Sequence, residues 1–182
     1  MESRGFTHDS INTFGLGYVA QPVAGDEYMR GRIAFPYWDL RGVTTIRFRT
    51  AAAESEGPKF MDRPGAKSLM YNITTVDKGG DVIYLVEGEP DCIIAAQMGL
   101  PAVALSGAQK WKDHYRNLLS GFSNVRVICD NDDSGVGLEL GQAVKAAMPD
   151  TYVQILPAPE GHDLNSAYLE FGAEALRERW EI

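Results

Sequence analysis

Several acidic residues of this 182-residue chain fall where short apolar runs end. Glu87 follows VIYLV (82–86) and opens Glu87-Gly88-Glu89-Pro90-Asp91, with three carboxylates in five positions. Asp130, Asp132 and Asp133 follow VRVIC (125–129) in CDNDDSG, and Asp163 follows YVQIL (152–156) across a short loop. Carboxylates crowded together repel and raise one another's pKa. A divalent cation such as Mg²⁺ or Mn²⁺ removes that cost, and hard oxygen donors are what such ions prefer. Metal-assisted chemistry is therefore what these positions can do. A plainer reading has Asp132, Asp133, Ser134 or Asp163 capping the helices that follow. Glu89 and Asp91 would likewise favour a helix N-terminus through its dipole. That reading does not cover Glu87 and Asp130, which come directly off apolar strands before any helix can use them.

The elements that must position these acids are legible from Asp81 onward. VIYLV, AVAL (102–105), VRVIC and YVQIL read as strands. Between them lie helix-like segments near 90–98, 110–120 and 134–148, with one or two more after Leu164. Strands alternating with helices predict an α/β fold, with a mostly parallel sheet flanked by helices. In such a sheet the strand ends share one edge, and ligands bind outside the carboxyl ends of the strands. Pro90 suits a first helical position, and the MGLP that follows supplies a Gly stop with a Pro beyond it. The first 80 residues behave differently. GRIAFPYWDLRGVTTIRFRT predicts two strands around Asp39-Leu40-Arg41-Gly42. Arg47 and Arg49 then share one face, with Ile46 and Phe48 on the other. The stretch 51–67 is rich in small residues, Gly and Pro, and reads as a loop. The expected organisation is a small β-rich (α+β) N-terminal subdomain, 1–80, followed by an α/β domain, 81–182.

Net charge is −8 but unevenly spread. Residues 81–182 hold 7 Lys+Arg against 16 Asp+Glu, whereas 30–67 hold 8 against 4. A polyanionic ligand thus needs a localised site, and bound cations would offset part of the acidic half. Cys92 and Cys129 sit apart in apolar contexts, and with three histidines they make a poor zinc site. Free buried thiols fit a cytoplasmic protein. No apolar run approaches the roughly 20 residues needed to span a bilayer, and the N-terminus lacks a signal-peptide pattern.

VEGEPD followed by CDNDDSG and HDLN resembles the Toprim domain of bacterial-type primases, topoisomerases and some nucleases, in which a strand-end Glu precedes an Asp-x-Asp at a later strand end. RGRIAFPYWDLRGVTTIRFRT resembles the stretch before Toprim in bacterial and phage primases. GPKFMDRPGAKSLMYNI is similar to that family's Lys-Tyr-Asn-Ser-Pro segment and the Lys-x-x-Leu-Tyr after it, and HDSINTFGLGYV to its helix entering Leu-Gly-Tyr. Most of 6–175 is covered, and the whole resembles the RNA-polymerase core of a DnaG-type DNA primase. The resemblance implies a Toprim-like fold for 81–182. It implies template-directed synthesis of short RNA primers on single-stranded DNA by metal-dependent nucleotidyl transfer. Glu87, Asp130 and Asp132 match the catalytic metal-binding acids, Asp163 joins them at the metal, and Asp91 matches a supporting acid. Arg32, Arg49, Lys59 and Lys67 match basic positions for template or nucleotide phosphate, and Arg47 joins them through its shared face with Arg49. The implied cofactor is Mg²⁺ or Mn²⁺. The implied partners are single-stranded DNA, ribonucleoside triphosphates, a separate zinc-binding module and a replicative helicase, since neither of those two modules is read in this sequence. Two departures stand out. Asp130-Asn131-Asp132 replaces the common Asp-Gly-Asp, and Asp163-Leu164-Asn165 replaces Asp-Pro-Asp, so a second metal there would be held less tightly. A Toprim nuclease and a non-catalytic nucleic-acid-binding replisome module are the alternatives. The primase-like stretch at 30–71 argues against the nuclease.

Overall fold

A computed structural model describes residues 1–51, 57–66, 69–105, 111–132 and 135–182. The first sheet is antiparallel, in the order β1 (Gly17–Tyr18), β2 (Arg32–Asp39), β3 (Gly42–Thr50) and β4 (Phe60–Asp62). The β2–β3 hairpin turns where expected. Asp39 Oδ1 accepts the Arg41 N–H at 2.7 Å, and Gly42 takes φ 128°, which a side chain would resist. Ile33, Phe35 and Tyr37 alternate inward along β2. The stretch expected to be a loop carries β4, which pairs Phe60 with Arg49 and Asp62 with Arg47. Three residues are too few to show a strand's alternation in sequence.

The second sheet runs in the order β5 (Met70–Tyr71), β7 (Ala102–Leu105), β6 (Val82–Val86), β8 (Asn124–Cys129) and β9 (Tyr152–Pro157). It is parallel except for β5, which is antiparallel to β7. All four strands expected from 81 onward are present. The helices are α1 (His8–Thr13), α2 (Thr74–Asp77), α3 (Glu89–Gln97), α4 (Asp113–Leu119), α5 (Val136–Ala147) and α6 (Leu164–Trp180), the last bent at Gly172.

Alternation along the strands feeds two hydrophobic clusters. Tyr84 and Val86 join Ile93 and Ile94 of α3, Leu176 and Trp180 of α6, and Phe14, Phe35 and Tyr37 of the N-terminal part. Ile83, Leu85, Val125 and Val127 point the other way, to Tyr115 and Leu119 of α4 and Leu140 and Val144 of α5. The N-terminal part therefore shares a core with the α3 face. The neighbouring strands β6 and β8 send their following helices, α3 and α5, to opposite faces. That divergence opens a crevice at the carboxyl ends of β6 and β8. Both cysteines are buried and free, as expected. No described helix is long and apolar enough to cross a membrane.

Candidate metal and nucleotide site

Glu87 and Asp130 are the first residues beyond β6 and β8, so the crevice receives both. Glu87 Oε1 accepts the Asp130 N–H at 3.3 Å, joining the two strand ends directly. The first turn of α5 closes over this contact. A β-carbon at Gly137 would lie 2.3 Å from the Asp130 carbonyl oxygen and 2.6 Å from Glu87 Oε1. Only glycine permits that approach. Asp132 is exposed, and the capping candidates Asp133 and Ser134 lie outside the described residues. Asn131 knits this loop to the one after β9. Its N–H donates to His162 O at 2.9 Å, its carbonyl accepts from Gly161 at 2.8 Å, and its Nδ2 donates to Ala158 O at 3.0 Å.

Asp163 has the capping role. Its Oδ1 accepts from the Ser166 N–H and hydroxyl, each at 2.6 Å, and so starts α6. The cap engages Oδ1 of this expected metal ligand. Asp91 is buried, and its Oδ1 accepts the Asn165 N–H at 3.0 Å. Burial holds its carboxyl pKa well above the usual range, and the charges of Asp163, Asp130 and Glu87 push it further, against the Asn165 hydrogen bond. Asp91 thus lies within the field of the other three acids. Among the described residues no three potential ligands stand close enough to hold an ion.

The raised Asp91 pKa makes a pH prediction. The folded protein holds this proton where the unfolded chain has released it, so stability falls as pH rises from the unfolded carboxyl pKa towards the folded one. Asp91→Asn removes that term. Without metal, wild type should lose stability relative to Asp91→Asn as pH rises above about 4, by at most about 1.4 kcal/mol per pH unit. Urea unfolding of both proteins across this range measures the difference; parallel curves would contradict it.

The basic residues are less open than their types suggest. Arg32 and Arg49 are buried. Arg32 Nη1 donates to Pro58 O at 3.0 Å and anchors the turn that carries Lys59, which is exposed. Arg49 lies over the Phe60 ring at 5.0 Å. Burial lowers its pKa to about 10, helped by Arg4, while Asp91, Asp163 and Glu89 oppose the shift. Its guanidinium therefore sits within the field of the acidic crevice. Arg47 does share a side with Arg49, over the same ring at 4.5 Å, but that side is not a solvent face. Its Nη1 is 3.0 Å from Glu89 Oε1 and its Nε 3.4 Å from Asp62 Oδ1. Burial pulls the Arg47 pKa down, but Glu89, Tyr37 and Asp62 outweigh it and leave it raised. Arg47, expected as a phosphate contact, is thus engaged in an internal ion pair with Glu89. Lys67 lies outside the described residues.

Sequence reasoning missed Arg4, Glu89 and Gly137. Arg4 reaches the site because its carbonyl accepts Asn165 Nδ2 at 2.7 Å, tying the N-terminal turn to α6. Nothing in its local spacing signals this.

A family described as Toprim-like matches residues 84–168. Gene 57 protein of Mycobacterium phage D29 is 37% identical over 155 residues, which span 82% of this chain and 98% of that protein. The DNA primase of Clostridium acetobutylicum is 28% identical over 184 residues, 97% of this chain and 30% of the primase. The chain belongs to one family with the phage gene 57 protein, and it is similar to DnaG-type primases. Solved primase structures share its fold. The Aquifex aeolicus primase, with its zinc-binding and RNA polymerase domains, superposes with a TM-score of 0.79 at 23% identity, covering 99% of this chain and 54% of that one. A DnaG primase catalytic domain bound to single-stranded DNA gives a TM-score of 0.77 at 24% identity, covering 99% and 71%. The chain spans almost all of the phage protein but about a third of the bacterial primase.

Proposed function

We propose that the chain is a primase catalytic core that synthesises RNA primers on single-stranded DNA by metal-dependent nucleotidyl transfer. The observation that carries this reading is the crevice where β6 and β8 diverge, with Glu87 and Asp130 joined at its base and Arg49 of the other sheet within the field of Asp91 and Asp163. The donors are hard oxygens gathered from neighbouring strand ends, so the residues fit Mg²⁺ or Mn²⁺. Glu87, Asp130 and Asp132 would hold the ion, with Asp163 adding to the field while it caps α6. When bound, the cation lowers the pKa of the primer 3′-hydroxyl and offsets charge on the departing pyrophosphate. Arg49 and Arg4 stabilise phosphate charge beside the crevice. Lys59 and Lys67 supply template or nucleotide phosphate contacts. The division of labour follows the expected units, with 1–80 presenting nucleic acid and 81–182 presenting the acids. The DNA-bound relative supports the template assignment. A zinc-binding module and a helicase are proposed as separate partners in the cytoplasm.

The test is product analysis with a labelled single-stranded template, ribonucleotides and Mn²⁺ or Mg²⁺. Metal-dependent RNA products support the polymerase. A shortened template points to the nuclease, and binding without either product points to an assembly module.

Lys59 gives a separate prediction. Phosphate contacts release counterions, so affinity for single-stranded DNA should fall steeply with salt. Lys59→Ala should weaken binding to all sequences alike and lower the salt slope by about one. Because Lys59 is exposed, its loss should leave the fold intact. Fluorescence anisotropy over a salt series reads both effects, and an unchanged slope would remove Lys59 from the template path.

A further inference from the structure

Glu89 lies two residues after Glu87 and two before Asp91, in the first turn of α3. Its side chain is 0% exposed. Both donors to its Oε1 come from the N-terminal sheet, 42 and 52 positions away in sequence. Arg47 on β3 donates Nη1 at 3.0 Å, and Tyr37 on β2 donates its hydroxyl. Each donor is itself fixed. Arg47 is held by Asp62 and the Phe60 ring of β4, and Tyr37 packs edge-on against Tyr71 of β5 at 4.9 Å.

Stability alone is a poor explanation for this arrangement. A buried ion pair loses hydration that its attraction only partly returns, and apolar residues of similar volume often do as well or better. Here Glu89 Oε2 and the Tyr71 hydroxyl lack hydrogen-bond partners among the described residues, a further cost. What the ion pair provides over an apolar filling is direction. It fixes the first turn of α3 against β2 and β3. Glu87 directly precedes the Gly88 N-cap of this turn, and Asp91 lies within it. The Asp91 carboxylate folds back so closely that a β-carbon at Gly88 would meet its Oδ2 at 3.3 Å. A small rotation of this turn would therefore move both acids.

We propose that Glu89, gripped by Arg47 and Tyr37, is a positioning residue that sets how Glu87 and Asp91 face the divalent cation. The inference rests on reading the acidic edge as a metal site. The test compares wild type, Glu89→Gln and the double variant Arg47→Met/Glu89→Met. The apolar double variant should fold with a Tm within a few degrees of wild type, because it leaves no unpaired buried charge. Its Mn²⁺ half-saturation, read from the Mn²⁺-induced rise in Tm, should nevertheless weaken about tenfold, the size expected when a residue that orients ligands is lost. Glu89→Gln, which keeps an oxygen for both donors, should recover part of that loss. A double variant with wild-type Mn²⁺ half-saturation would overturn the proposal and leave Glu89 a packing residue. A double variant that fails to fold, alongside a Glu89→Gln that folds and binds Mn²⁺ as wild type does, would also overturn it. So would a wild-type Tm indifferent to Mn²⁺, since there would then be no ion to position. Because the readout is binding, a wild type that binds Mn²⁺ but makes no RNA would sink the primase reading and leave this one standing.

Discussion

Replacing Gly137 by alanine should damage the site more than any other single methyl group added to the chain. Alanine is the better helix former by about 1 kcal/mol, so on helix propensity alone the change would stabilise α5. The contacts reverse that sign. The new β-carbon would lie 2.3 Å from the Asp130 carbonyl oxygen and 2.8 Å from its nitrogen, both main-chain atoms at the end of a buried strand. Neither can swing aside, so α5 must lift from β8 and break the Glu87–Asp130 contact. Overpacking of this kind costs about 1–3 kcal/mol, and RNA synthesis should fall by more than the stability loss explains. Gly141, one turn along α5, is the control. Its β-carbon would meet Cys129 Sγ and an Ile155 methyl, each at 3.0 Å, and side-chain atoms can shift. Urea unfolding and activity for both variants measure the contrast. A Gly137→Ala protein as stable and active as wild type would contradict the described packing.

Glu87→Gln should separate catalysis from folding. Glu87 is only half-buried, and the hydrogen bond from the Asp130 N–H at 3.3 Å can be accepted equally by an amide oxygen. Stability should therefore change by less than about 1 kcal/mol. Without metal it should even rise slightly, since one of the crowded charges is gone. Catalysis should fall by about a hundredfold or more, the scale expected when charge stabilisation is removed at a reacting phosphate. Full activity of Glu87→Gln at saturating Mg²⁺ would sink its assignment as a metal ligand.

The contrast between these two residues shows what sequence can and cannot reveal. Glu87 and Asp130 were legible because each ends an unmistakable apolar run, and the alternation of strands and helices places such ends on one edge. Gly137 was not, because its meaning lies in atoms of two other elements. In sequence it is only a weak residue in a helix-like run. The ion pair of Arg47 was hidden for a related reason. The period of a strand correctly puts it beside Arg49, but period says nothing about what covers that face. The covering residues, Glu89 and Asp62, lie 42 and 15 positions onward, one of them on a strand too short to recognise. Asp163 had a readable alternative, since an Asp followed three residues later by Ser is a sound cap, and that is the bond it makes.

The central claim is that the carboxylates beyond β6 and β8 hold a divalent cation. Anomalous diffraction from crystals soaked in Mn²⁺ tests it most directly, because manganese can be located without assuming its ligands. An anomalous peak is expected in the crevice, within coordination distance of Glu87 and at least one of Asp130 and Asp132, and it should be lost in Glu87→Gln crystals soaked alongside. A peak bound elsewhere, or a crevice that stays empty of manganese while wild type synthesises RNA, would contradict it.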